Sequence, residues 1–159
     1  SSSIWPFLPQ KVSSGAAFLG GALGGTGFAF AEAMFLTQPV SGWLIMAIAR
    51  AGASSMHALA AGLTAWGLAE GVVQKRWRRL ALGFFVAVAL HGLWNAAAIG
   101  LGIGQLALEQ SSEAKPAVEV AVAISIGIII LLSLVAIALL PTLQSRFTAE
   151  TGRQVPEHP

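Results

Sequence analysis

The sequence predicts an all-α, polytopic transmembrane bundle of about four spanning helices with a short interfacial or re-entrant segment. Three observations carry this reading. Of the 159 residues, 55% are hydrophobic and only 10% are charged, far from the averages of soluble domains. The mean hydropathy is +0.74. Apolar stretches recur at the length of roughly 20 residues that a helix needs to cross about 30 Å of hydrocarbon.

The chain opens with "SSSIWPFLPQ", without an initiator Met or a basic leader. No signal peptide is read there, and an upstream segment is expected. The spans are expected at 15–36, 53–73, 80–103 and 118–140. Between the first two, "TQPVSGWLIMAIAR" contains Pro39, which breaks a helix, and Trp43, which suits an interface. This is the expected interfacial or re-entrant segment. Residues 1–140 then form one membrane domain, read as the C-terminal part of a longer bundle, and 141–159 form a polar tail. Its end, "TAETGRQVPEHP", has no apolar period and reads as irregular.

Charge sets the topology. The one dense basic run, "QKRWRR" at 74–79, joins the second and third spans and is expected in the cytoplasm. The tail with Arg146 and Arg153 then lies on the same side, and "GQLALEQSSEAKP" is external. The expected location is an integral membrane protein, in a bacterial plasma membrane. A formal net charge of +2 is too small and too scattered for nucleic-acid binding. Cysteine is absent, which excludes a thiol nucleophile and a disulfide framework.

Glu32, His57 and His91 are the ionisable residues set well inside apolar spans. A charge at mid-membrane costs about 2.5 to 3.5 kcal/mol on insertion scales, so such groups face a bundle interior and find partners. Glu32 follows Gly21, Gly25 and Phe28 on one helical stripe, and small residues allow close helix approach. His57 shares a face with Ala53, Ala60, Ala61 and Thr64. Asn95 lies four residues after His91, on the same face as Ala98 and Gly102. A rise of about 1.5 Å per residue puts Glu32 and His57 roughly 10 Å to the external side of mid-span, His91 near the middle and Asn95 about 6 Å external. Arg50 is a possible counter-charge for Glu32, and Glu70, beside the basic run, reads as a solvated salt bridge.

A carboxylate and two imidazoles in a low-dielectric cavity suit hydrolysis, either through a metal-activated water or through a Glu acting on water with His and Asn in support. They also suit a proton relay or metal-ion permeation. The order of motifs favours the first. "GFAFAE" resembles the F-x-x-x-E motif of PrsW-type intramembrane proteases, "RAGASSMHALAAGLTAWGLA" resembles their Arg then His-Ala segment, and "ALHGLWNA" resembles their closing H-x-x-x-N motif. The resemblance covers roughly residues 20–98.

That family is related to the CAAX prenyl-protease (Abi) group and to the Aph subunit of γ-secretase. Its implied role is cleavage of membrane-anchored, single-span proteins on the external side. Carried over, Glu32, His57, His91 and Asn95 match its polar residues, with Glu32, His57 and His91 as ligands of a divalent metal such as zinc. The family's opening E-E-x-x-K motif is absent, since the chain has no adjacent acids. The alternatives are a non-catalytic scaffold subunit of a larger membrane complex, and a proton or metal-ion transporter. Membrane lipid, a single-span protein substrate and a larger complex are the expected partners.

Overall fold

The computed structural model describes residues 13–36, 43–110 and 115–152. These form four long helices: α1 (Ser14–Leu36), α2 (Trp43–Leu68), α3 (Trp77–Gln110) and α4 (Lys115–Gly152). A π-helical turn, Ala69–Val73, extends α2. The described residues are otherwise almost wholly helical and contain no strand. Three helices are apolar and long enough to cross a membrane, over Ser14–Phe35, Trp77–Glu109 and Lys115–Ala149. The fourth helix, α2, is 26 residues long and carries Arg50, His57 and several hydroxyl residues.

Its position accommodates them. Met56, Leu59, Leu63 and Trp66, spaced at helical intervals along α2, are all at most 8% exposed. They form the core with Phe18 of α1, Ala87 and Trp94 of α3, and Leu132, Ala136 and Phe147 of α4. Because α2 meets protein on most sides, it can carry polar groups that lipid would not accept. The outer faces of its neighbours are apolar instead, with Phe30, Phe35, Phe85 and Leu131 all more than 60% exposed. Such surface is covered by lipid in a spanning helix.

Two glycines set the α1–α2 contact. A Cβ at Gly21 or Gly25 would collide with the backbone carbonyl of Ala61 or of His57, so the helices meet backbone to backbone through the expected stripe. α3 packs on α2 from another side, α4 touches all three, and among the described residues α1 and α3 do not approach each other. Ser13 caps α1, its Oγ accepting a hydrogen bond from the Ala16 N–H at 3.1 Å.

Three expectations about extent are corrected. The second span is α2, which begins at Trp43, ten residues before the expected 53, and ends at Leu68, five before the expected 73. The second half of the presumed re-entrant segment is therefore the first two turns of α2, a run of Ala, Ile, Leu and Met with no breaker after Pro39; residues 37–42 lie outside the described part. The external loop is shorter than expected, because α3 continues to Gln110. The polar tail is helical through Gly152, with Pro141 inside the helix. Phe147 holds it there, stacked on Trp66 at 4.8 Å and edge-on to Phe18 at 5.3 Å. Residues 153–159 lie outside the described part.

Candidate active site

The glycine contact brings α1 and α2 close enough for Glu32 to reach His57, whose Nε2 lies 3.2 Å from its Oε2. A carboxylate only accepts, so in that state the imidazole donates from Nε2 and keeps a free lone pair on Nδ1. Arg50, two turns before His57 on α2, puts Nη1 3.5 Å from the same oxygen. The His57 ring is 4.8 Å from the His91 ring of α3, and Phe28 of α1 lies edge-on to it at 5.0 Å. Three helices thus deliver an unbroken chain: Arg50, Glu32, His57, His91.

The chain ends in an unsatisfied atom. His91 Nδ1 is buried and has no hydrogen-bond partner among the described residues. A buried polar atom left without a partner costs about 1–3 kcal/mol, so it stands out as a group kept for use. Beside the two rings lies an open groove of about 510 Å³, lined by Phe28, His57, His91 and small residues including Gly24, Ala61 and Gly92. The groove exists because α1 and α3 flank α2 without meeting.

Asn95 falls elsewhere. It is exposed and outside the groove lining, because the neighbouring Trp94 takes the inward position at 7% exposure. By helical spacing it continues the Val88–Gly92 ridge, one turn beyond His91, at the rim. It makes no hydrogen bond among the described residues. Arg50, expected from sequence as a counter-charge for Glu32, is found paired with it.

At the other end of the bundle, Glu70 is not solvated as expected. It is 1% exposed, because the π-helical turn rotates it inward. Its Oε1 accepts from Ser14 Oγ; its Oε2 accepts from Arg76 Nη1 at 3.1 Å and Arg79 Nη1 at 2.9 Å. Glu70 stands beyond the last turn of α2, outside the spanning segments. Burial raises its carboxyl pKa, but the Ser14 and Arg76 hydrogen bonds and the charge and hydrogen bond of Arg79 outweigh it, leaving the pKa below its ordinary value near 4.5.

Comparison with known families matches residues 10–137 to the PrsW family intramembrane metalloproteases. The chain belongs to the PrsW family. Curated proteins and solved structures gave no significant match. The chain is therefore an integral membrane protein of a protease family.

The PrsW description implies a metal, and two imidazoles with a carboxylate are suitable donors for zinc. Their arrangement is not a metal cradle. Among the described residues no three His or acidic side chains converge as a metal-holding group, and the near oxygen of Glu32 is occupied by Arg50 and His57.

Proposed function

We propose that this PrsW-family chain hydrolyses peptide bonds of membrane-anchored, single-span proteins in the external half of the bilayer, using Glu32, His57, His91 and Asn95. The observation that supports this is that His57, held by Glu32, meets His91 at an open groove. Glu32 fixes the His57 ring, leaving Nδ1 to take a proton from water as its oxygen attacks the peptide carbonyl carbon. His91, with a ring in contact with His57, delivers a proton to the departing amine as the C–N bond breaks. Asn95, at the rim, donates an amide hydrogen bond to the developing oxyanion. Phe28 and the apolar walls exclude water, which strengthens each of these polar interactions.

The Arg50–Glu32 ion pair supports a second reading, a scaffold in which the polar cluster holds helices together. Cleavage of a single-span reporter by the full-length protein separates the two. Loss of cleavage in both His57→Ala and His91→Ala, with the fold retained, supports the protease; unchanged cleavage in both defeats it. The scaffold reading predicts instead that Glu32→Gln and His91→Ala impair assembly of a complex.

The orientation proposed here puts the basic run and the end of α4 in the cytoplasm. Since the chain has no native cysteine, single cysteines at Lys75 and Glu109 should react with an impermeant reagent from the inner and outer sides respectively. The reverse pattern would move the site to the inner half.

A further inference from the structure

The basic run carries more charge than the fold uses. Arg76 and Arg79 are pinned by Glu70, and both oxygens of that carboxylate are engaged by them and Ser14. Lys75 and Arg78 are exposed, and neither pairs with an acid among the described residues. Their presentation is built in. Lys75 has φ 60°, a left-handed conformation uncommon outside glycine, and it turns the chain sharply from the π-helical turn into α3.

What lies beneath these cations is equally specific. α3 begins at Trp77, and Arg78 and Arg79 precede the unbroken apolar run that starts at Leu80, so Arg78 stands at the polar end of the helix. Four and seven residues on, Leu82 and Phe85 occupy the same helical face, 59% and 68% exposed. The adjacent ridge begins with Trp77, 58% exposed, and continues to Phe84, 47% exposed. A charged head above two apolar ridges has the shape and polarity of a phospholipid.

We propose that the start of α3 binds an anionic phospholipid, its phosphate held by Lys75 and Arg78 and an acyl chain lying along Leu82 and Phe85 beside Trp77. Charge complementarity selects the head group, because Lys75 and Arg78 pair with no carboxylate among the described residues. The continuous apolar face selects a lipid over a soluble anion. A lipid seated here touches the same short turn that Glu70 ties to Ser14 at the start of α1, so it clamps the α2–α3 connection. This inference is independent of the protease reading, since it uses none of the groove residues.

The test uses the full chain in micelles, titrated with phosphatidylglycerol or with phosphatidylcholine of identical acyl chains. Bound lipid is counted by native mass spectrometry and stability is followed by thermal unfolding. Each basic side chain near an anionic surface contributes enough that losing both weakens binding roughly tenfold or more. Phosphatidylglycerol should therefore bind the wild type about tenfold more tightly than phosphatidylcholine. Lys75→Asn with Arg78→Gln should erase that preference, the Asn tolerating the positive φ, while Leu82→Ala with Phe85→Ala should weaken both lipids alike. Retention of the preference in the Lys75/Arg78 variant overturns the proposal. So does displacement of the lipid by glycerol 3-phosphate, which would indicate a soluble anion site. Should the variant not fold, salt decides on the wild type: raised ionic strength must reduce the preference, and an unchanged preference also overturns it.

Discussion

Two carboxylates mark the two ends of this bundle, and their surroundings differ in kind. Glu70 is 1% exposed and meets a hydroxyl and two guanidiniums, so both of its oxygens are engaged. Glu32 has a side chain 32% exposed, with one imidazole at 3.2 Å and a looser guanidinium at 3.5 Å, and that imidazole touches the His91 ring, whose buried Nδ1 has no partner among the described residues. An acid engaged on both oxygens holds structure, whereas under the proposed function the Glu32–His57 pair, whose ring touches that of His91, serves proton transfer. Both rest on the same backbone feature, a close pairing of α1 with α2, but only Glu32 has a partner, His57, that lines the groove.

The comparison breaks most sharply at the histidines. General acid–base groups contribute roughly 10²- to 10⁴-fold, so His57→Ala and His91→Ala should each lower reporter cleavage at least about a hundredfold with little change in unfolding temperature. At the other end the pattern reverses. Glu70→Gln should cost about 1–3 kcal/mol of stability, by leaving Arg76 and Arg79 without their counter-charge, while cleavage per folded molecule stays near wild type. A Glu70 variant that is fully stable but inactive would remove the distinction.

Acid sharpens the same contrast. The carboxyl of Glu70 has its pKa lowered in the fold, so its contribution is fully present above the unfolded value near 4.5 and is lost as pH falls through the lower folded value. Unfolding temperatures measured from about pH 7 to about pH 3 should fall at the acid end in the wild type, and less steeply in Glu70→Gln. Equal slopes would show that Glu70 is not the group responsible.

Adjacent glycines separate packing from access. At Gly25 an added side chain collides with α2, but at Gly24 it meets nothing within 4 Å while pointing at the groove. Gly25→Leu should lower stability and separate Glu32 from His57. Gly24→Leu should leave unfolding unchanged and raise KM for the reporter severalfold, as expected of an obstructed groove. The smallest effect is reserved for Arg50→Gln. Its partly exposed ion pair is worth at most about 1 kcal/mol, so cleavage should change by less than about fivefold; a loss as large as that of the histidines would make Arg50 a principal member of the site.

Much of this was legible in the sequence, for identifiable reasons. Membrane helices declare themselves by composition, and an acid or imidazole inside an apolar span is conspicuous because it is expensive there. The Gly21–Gly25–Glu32 stripe followed from helical spacing alone. What escaped depended on rotation and on context. Glu70 is buried because the turn that carries it is wider than an α-helix, with Arg76 N–H bonding back to the Glu70 carbonyl at 2.8 Å, and no residue type announces such a turn. Asn95 shares a nominal face with His91, yet the bulk of Trp94 turns the helix so that only His91 points inward. The tail reads as polar, but one ring, Phe147, between Phe18 and Trp66 is enough to keep α4 folded past Pro141.

The unequal helix lengths have a consequence for where the bilayer exerts its force. At about 1.5 Å per residue, α3 and α4 reach roughly 50 Å or more, well beyond a hydrocarbon layer of about 30 Å, while α1 at 23 residues barely exceeds it. Thickening the membrane leaves the long helices still spanning, with apolar length to spare. The mismatch falls on α1, whose position along α2 is fixed by Gly21 and Gly25 and whose Glu32 sits one turn from its end. Hydrophobic thickness is thereby felt at the one helix that cannot slide without separating the acid from its imidazole.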